Sequence, residues 1–450
     1  MIGADRLLSD LTWLVKHAPR ACRISVCAQA RTQRVLRFAY ERVHQNLAQD
    51  SVTVYVRVFA DRRVGVATTD NLGRVHLARA LARAVEIAKH TPPLKDAPVL
   101  PSGASLRDAR DVVRATAEVP AARLLASIKH LFHLCKGVDV TLAGSLVAAE
   151  DETAVANSAG VASYHASTVC GTRLVTMYRK LSGYASGVHR DIRKLDNEAL
   201  LEHALKQCLH KRAAVTVPVG TYEVVLEPEA VAELLIWLGY IAFGAKQIHE
   251  HSSCLSGRMG ERLMHPSVTI DDDGNDPAGL RLPFDPEGVP KQRVRLIDRG
   301  RAAGFVTDST YAALYHQPST GHAQTPDGTD GPVPVHLFMA PGTVSRAEMI
   351  RRCDRGLLIP RFHYVNGLLN PREALMTGLT REGVFLIKDG KCDAPVTTLR
   401  FTQSLLDALR HVVAISKERQ VVGDPASDVG CAVVPTVHLK KFRFTGRSEE

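Results

Sequence analysis

The sequence predicts an α+β protein, an α/β amino-terminal region followed by a strand-rich carboxy-terminal domain. Three observations predict it. Val52, Val54, Val56 and Val58 alternate with more polar residues, the period-two pattern of a half-buried strand. The run Leu72 to Lys89 repeats its leucines and alanines at helical spacing. Beyond about residue 268, short apolar runs bounded by Gly, Pro and Asp dominate to the end of the chain.

The elements fall into three segments. In the first, 1–95, an amphipathic helix near Leu7 to Val15 precedes the valine strand. A second strand, Val64 to Thr68, follows Asp61-Arg62-Arg63 as a hairpin, and Asp70 stands where an N-cap belongs before the helix Leu72 to Lys89. Pro92, Pro93, Pro98 and Pro101 mark His90 to Gly103 as a linker. The middle segment, 110–212, opens with a helix at Ala121 to Leu134. It continues as a meander of Val138 to Ala149, Thr153 to Asn157, Val161 to Tyr178 and Gly183 to His189, and closes with a helix from Asn197 to Lys211. Asn157-Ser158-Ala159-Gly160 supplies the tight turn. The last segment, 218–446, starts with a strand, Gly220 to Leu226, that runs into an apolar helix, Glu229 to Phe243, with Pro228 at its first turn. Strands are expected at Val268 to Ile270, Val294 to Ile297, Gly304 to Val306, Gly383 to Ile387 and Ala432 to Leu439. Gln317 to Pro334, with four Pro and three Gly, reads as a long loop.

Composition narrows the function classes. Nine cysteines without a CxxC pair offer neither a zinc ribbon nor a thioredoxin-like site, and predict reduced thiols in a cytoplasm. The first 20 residues hold no signal-peptide core, and the longest uncharged apolar stretch, Leu234 to Ala245, falls short of the roughly 20 residues that span a bilayer. A net charge of +10 would draw polyanions. The basic residues are nevertheless scattered, apart from Lys440, Lys441, Arg443 and Arg447, which read as a solubilising edge strand. Nucleic acid is therefore not the expected partner.

Familiar catalytic strings are missing: the sequence has no GxxxxGK[ST], GxSxG, GxGxxG or HExxH. The densest metal-capable run is His249-Glu250-His251; on a strand, His249 and His251 would share a face and could hold one ion with a third ligand. Glu250 and His322 are the candidates for acid/base work. Asp271 to Asp276 offers oxygen ligands, but Asp276 stands where a calcium loop needs Gly and Leu282 where it needs Glu, so a turn is the better account. Asp285 and Glu287 could be a carboxylate pair, although Pro286 and Gly288 favour a rigid turn.

The order of several strings carries more information than any one of them. Ser253-Cys254-Leu255-Ser256-Gly257-Arg258-Met259-Gly260-Glu261, Val268-Thr269-Ile270-Asp271-Asp272-Asp273 and Phe284-Asp285-Pro286-Glu287-Gly288-Val289-Pro290 are followed in register by Ser319-Thr320-Gly321-His322-Ala323 and Gly383-Val384-Phe385-Leu386-Ile387-Lys388-Asp389-Gly390. Over about residues 50 to 440 this order resembles the TldD/PmbA proteins, named modulators of DNA gyrase. The resemblance implies a carboxy-terminal domain of the TldD/PmbA type and assembly as dimers. It also implies a zinc peptidase whose HExxxH helix precedes the Ser253 motif, the two His one helical turn apart and the Glu activating a water.

Here that slot falls near Trp237-Leu238-Gly239-Tyr240-Ile241-Ala242, and no histidine occurs between His210 and His249. Ser319-Thr320-Gly321-His322-Ala323 looks like the PmbA (TldE) branch, which lacks HExxxH. The expectation is a subunit with no cofactor of its own that pairs with a zinc-bearing TldD-like subunit, or with itself, to process or degrade flexible peptides. Two alternatives stand beside it: an active metallopeptidase binding zinc through displaced ligands such as His249 and His251, and a nucleic-acid or gyrase-associated binding module. Cys431 is nearest to the family's carboxy-terminal ligand, though a strand cysteine more often packs as a small core residue.

Overall fold

Alternation sustained over long strands builds the first sheet. The computed structural model describes residues 1–95, 100–103, 105–106, 109–426 and 430–447; Pro98 of the expected linker lies outside them. Arg23–Ala39 and Arg42–Ala60 form an antiparallel hairpin, Arg63–Thr69 pairs with its second strand, and Thr141–Asn157 pairs with its first. Ala162–Tyr178 comes next, taking Leu181–His189 antiparallel and Ala109–Asp111 parallel. Strands from the segments 1–95 and 110–212 thus share one sheet, seven-stranded among the described residues.

Along most of strands Arg23–Ala39, Arg42–Ala60, Thr141–Asn157 and Ala162–Tyr178, even-numbered side chains form the helix-covered face. Ile24, Val26, Val54, Val56, Ala154 and Ala156 meet helices Ala4–Lys16 and Arg74–His90. Leu7, Leu11 and Leu14, on one face of the first helix, are fully buried, each stabilising by about 1.5–3 kcal/mol. Toward the other end of the long strands, Leu36, Phe38, Leu142, Leu146 and Leu174 pack under Ala121–Leu134 and Asn197–Cys208. On those four strands odd-numbered residues face the carboxy-terminal half: Cys27 and Val155 touch Phe284, while Ala149 and Val169, with Val188 of the next strand, pack with Leu280 and Val421.

That half contains a thirteen-stranded mixed sheet among the described residues. Cys431–Arg447 runs through its interior, antiparallel to Gly220–Leu226 and parallel to His336–Met339. Val412–Gly423 and Leu399–Ser404 pair with the same strand. On the far side of Gly220–Leu226 lies Arg355–Ile359, in parallel. Helix Pro228–Ala242 packs into the core of this sheet, contributing Leu234, Leu235, Leu238, Ile241 and Ala242.

Several expectations are corrected. Thr141–Asn157 is continuous through Glu150-Asp151-Glu152, because ladders on both sides fix the backbone there despite the charges. Arg23–Ala39 was not predicted, its polar alternation hiding it. The second helix begins at Arg74 with Gly73 at its N-cap, and Asp70 caps nothing; Asn71 Oδ1 accepts the Gly73 N–H instead (2.8 Å). Gly304 to Val306 is not a strand, since Val306 makes only an isolated bridge to Gly244. Asp271 and Asp272 belong to the strand Ile270–Asp272, and the turn begins at Asp273. Finally, the basic tail is no edge: it lies on the interior strand, Lys440, Lys441 and Arg443 exposed while Phe442 and Phe444 are buried.

Among the described residues no helix is long and apolar enough to cross a membrane.

Candidate functional site

Helix Pro228–Ala242 is where a metal-gripping helix is expected, and its side chains decide what it can do. Pro228 sets its first turn directly after the strand Gly220–Leu226. Leu238 and Ile241 are buried in hydrocarbon. Trp237 lies edge-on to Tyr240 (centroids 6.0 Å apart), and the Tyr240 hydroxyl donates to Asp330 Oδ1 at 3.0 Å. Strand Phe362–Asn370 presses on the indole so closely that a Cβ at Gly367 would come within 2.9 Å of it. Zinc needs imidazole, thiolate or carboxylate donors. The residues at this slot supply none, so the family's metal does not fit here.

One and two turns earlier the same helix carries Glu233 and Glu229, which sequence reasoning passed over. Burial pushes both carboxyls up. The Ser186 hydroxyl, from strand Leu181–His189 of the first sheet, donates to Glu229. Beside it the Arg361 guanidinium lies 4.0 Å from the Tyr184 ring centroid and donates to Glu382 Oε2 at 2.6 Å. Two carboxylates at i, i+4 on an otherwise apolar helix were the available signal. Glu229 ties the helix to the amino-terminal sheet.

His249, Glu250 and His251 are brought to no common centre. His249 ends the short helix Ala245–His249, Glu250 follows as its C-cap, and His251 has φ 55° in a turn. The segment is therefore not a strand, and residues two apart at a helix end point in different directions. All three are exposed; the His249 ring stands edge-on to Tyr311 and Tyr315, and Lys246 Nζ lies 3.9 Å from Glu250.

His322 sits in a buried polar cluster of the carboxy-terminal half. Its Nε2–H donates to Asp272 Oδ1 at 2.7 Å and its Nδ1 lies 3.0 Å from Thr320 Oγ1. Asp272 Oδ2 accepts the His336 N–H at 2.7 Å. Asp285 accepts three backbone N–H groups, from Glu287 and Val289 at 3.0 Å and Ala323 at 2.8 Å. Gly288, at φ 81°, closes the expected turn, with its N–H on the Asp285 carbonyl. Glu287 takes Arg57 from strand Arg42–Ala60 and the backbone N–H of Ser309 (3.0 Å) together with its hydroxyl.

Asp285 and Glu287 are driven in opposite directions. Burial and the Glu287 charge push Asp285 up to about 7. Burial would raise Glu287 too, but Arg57 and Ser309 overcome it and hold it low. Such a split marks acid/base pairs. Here, however, the side chains of His322, Asp272 and Glu287 are at most 2% exposed, and their polar atoms are engaged by the protein itself. Through Arg57 and Glu287 the cluster joins the amino-terminal sheet to the carboxy-terminal half.

The Asp285 shift predicts a pH effect. A carboxyl raised from 3.8 to about 7 in the folded state contributes stability that is intact below 3.8 and lost as the pH climbs toward 7. Asp285→Asn is expected to remove that component, flattening the slope of unfolding free energy between about pH 4 and 7. An unchanged slope in denaturant titrations at several pH values would contradict the assignment.

Cys431 packs at the start of its strand, 2% exposed, its Sγ accepting the Leu280 N–H at 3.2 Å. Burial pushes its thiol up to about 12. It is a core residue.

With this geometry in hand, comparison with known proteins gives a consistent set of matches. A family model described as the PmbA/TldA metallopeptidase C-terminal domain matches residues 219–446. A metalloprotease of Methanothermobacter thermautotrophicus is 25% identical over 382 residues, 81% of each chain. A Haemophilus influenzae metalloprotease TldD homolog is 26% identical over 223 residues, 49% of this chain; the match spans 46% of that relative, less than half its length. Among solved structures, TldE from Thermococcus kodakarensis superimposes with a TM-score of 0.86 at 20% identity, covering 98% of this chain and 100% of that one. A Thermotoga maritima chain described as a candidate modulator of a DNA gyrase gives 0.83 at 19% identity, with 98% and 100% covered.

Proposed function

Because this chain belongs to the TldD/PmbA family of metalloprotease-related proteins, we propose that it is the subunit that brings no catalytic zinc to a peptidase assembled with a TldD-like partner. In that assembly it would help to enclose a flexible peptide while the partner supplies the metal and its activated water. The observation that carries this reading is the donor set of one helix: where two imidazoles would meet an ion beside a water-activating carboxylate, the chain places Trp237, Leu238, Gly239, Tyr240, Ile241 and Ala242.

Supporting it, His249 and His251 are separated by a helix end, and the one group of three metal-capable side chains found among the described residues, Glu223, Cys353 and His438, contains none of the helix. The full chain purified alone is expected to leave an unstructured peptide intact, and to support its cleavage once a zinc-bearing HExxxH relative is added. Peptidase activity in the isolated chain, accompanied by stoichiometric zinc in elemental analysis, would overturn the proposal.

A further inference from the structure

The strand Gly220–Leu226, the interior strand Cys431–Arg447 and the C-terminal end of helix Arg346–Arg352 meet at a small cluster outside the helix slot. Glu223 comes from the first, His438 from the second and Cys353, the C-cap residue, from the third. One donor atom from each lies within 4.8 Å of the others. We infer that Glu223, Cys353 and His438 form a binding site for a zinc-class divalent cation that cross-links these three elements. The inference goes beyond the proposed function, since it concerns a structural ion and leaves peptide cleavage to the partner.

Donor chemistry is the first argument. Thiolate, imidazole and carboxylate are the three protein ligands of zinc-class ions, and a tetrahedral ion held by three of them keeps one position for water. Rigidity is the second. Glu223 and His438 lie on adjacent paired strands, Val225 being the register partner of His438, and Gly356, three residues after Cys353, is the partner of Glu223. Backbone ladders hold Glu223 and His438 in place before any ion arrives, and the Cys353 backbone is fixed by its N–H on the Ile350 carbonyl and its carbonyl under the Gly390 N–H, which lowers the ordering cost of binding.

Charge is the third argument. Glu223 Oε1 accepts from His438 Nε2 at 2.7 Å, and the opposite oxygen takes the Lys440 ammonium. Cys353 and His438 are buried, at 0% and 1% exposure, whereas the Lys440 side chain is 65% exposed. An exposed surface cation thus stands against a carboxylate where a divalent ion would bring its charge, and it can swing into water when one binds. His438 Nδ1 is buried without a hydrogen-bond partner. No second bond fixes the ring, so its proton can move from Nε2 to Nδ1 and leave the Nε2 lone pair for the ion. Arg352, Asp354 and Lys440 are the other charges facing the cluster. On binding, the Cys353 S–H bond breaks, an Sγ–metal bond forms, and the proton passes to solvent.

The test uses the full chain, reduced and stripped with a chelator, and titrated with Co2+ alone. One equivalent is expected to produce the near-ultraviolet thiolate-to-cobalt charge-transfer band, and Zn2+ should bleach it. Cys353→Ser should abolish the band, while Cys392→Ser, which removes an exposed thiol elsewhere, should leave it. Lys440→Gln removes an exposed competitor without touching the core. It should tighten cobalt binding about two- to fivefold, the equivalent of a surface ion pair. No band in either the native chain or Lys440→Gln, or a band that persists in Cys353→Ser, would overturn the inference. Neither result bears on peptide cleavage, so its failure is distinguishable from failure of the proposed function.

Discussion

Arg57→Met is expected to lower the unfolding free energy by about 3–5 kcal/mol, because it strands a buried carboxylate. Arg57 extends from the amino-terminal sheet to Glu287, whose side chain is 2% exposed. Once the guanidinium is gone, Ser309 alone remains on that carboxylate, and Asp285 keeps pressing on it. Glu287 must then either stay charged without compensation or take up a proton. Both routes weaken the join between the sheet and the carboxy-terminal half, so the variant should show an earlier denaturant midpoint and faster proteolytic separation of the halves. The double variant Arg57→Met, Glu287→Leu should recover much of the loss, since an apolar pair leaves no charge buried. Equal stability of Arg57→Met and the native chain would mean that the clasp contributes nothing.

His322→Ala should cost about 3 kcal/mol and move acid unfolding toward neutral pH. Burial by itself would raise the Asp272 carboxyl, but His322, with Lys291 and His336 nearby, holds it at about 2, against an ordinary 3.8. A depressed carboxyl contributes stability that is present above its unfolded value and lost as the pH falls through its folded one. In the native chain this loss runs from about pH 4 to pH 2. Without the imidazole, burial prevails, the folded value rises, and the acid limb shifts upward. His322→Gln serves as the discriminating variant: a general base would show itself as lost peptide cleavage in the assembled pair at unchanged stability. The geometry predicts the reverse, a stability defect with cleavage retained by whatever pair still folds.

Much of the architecture was legible because it rests on local periodicity. The helix Ala121–Leu134 coincides with its expected span, and the strands around Val52 to Val58, Gly220 to Leu226 and Ala432 to Leu439 lie where apolar alternation placed them. The Asp285 to Pro290 turn followed from Pro286 and Gly288. Missed elements share a cause. Arg23–Ala39, Phe362–Asn370 and Leu399–Ser404 interleave apolar residues with Arg, Gln, Asn or Thr, and they are strands because of their pairing partners. Propensity within a window cannot see a ladder formed with residues far along the chain.

By itself the sequence determined the family, the α+β class and the identity of side chains on the helix before the Ser253 motif, since colinear strings and residue types need no coordinates. Tertiary structure alone decided what the scattered titratable groups do. It buried His322 against Asp272 and set Arg57 on Glu287 across 230 residues. It left His249 and His251 exposed and apart, and gathered Glu223, Cys353 and His438 from three elements. The reason is physical: a pKa, an ion pair or a ligand set depends on distance and solvent exclusion, and both arise only when remote segments pack together.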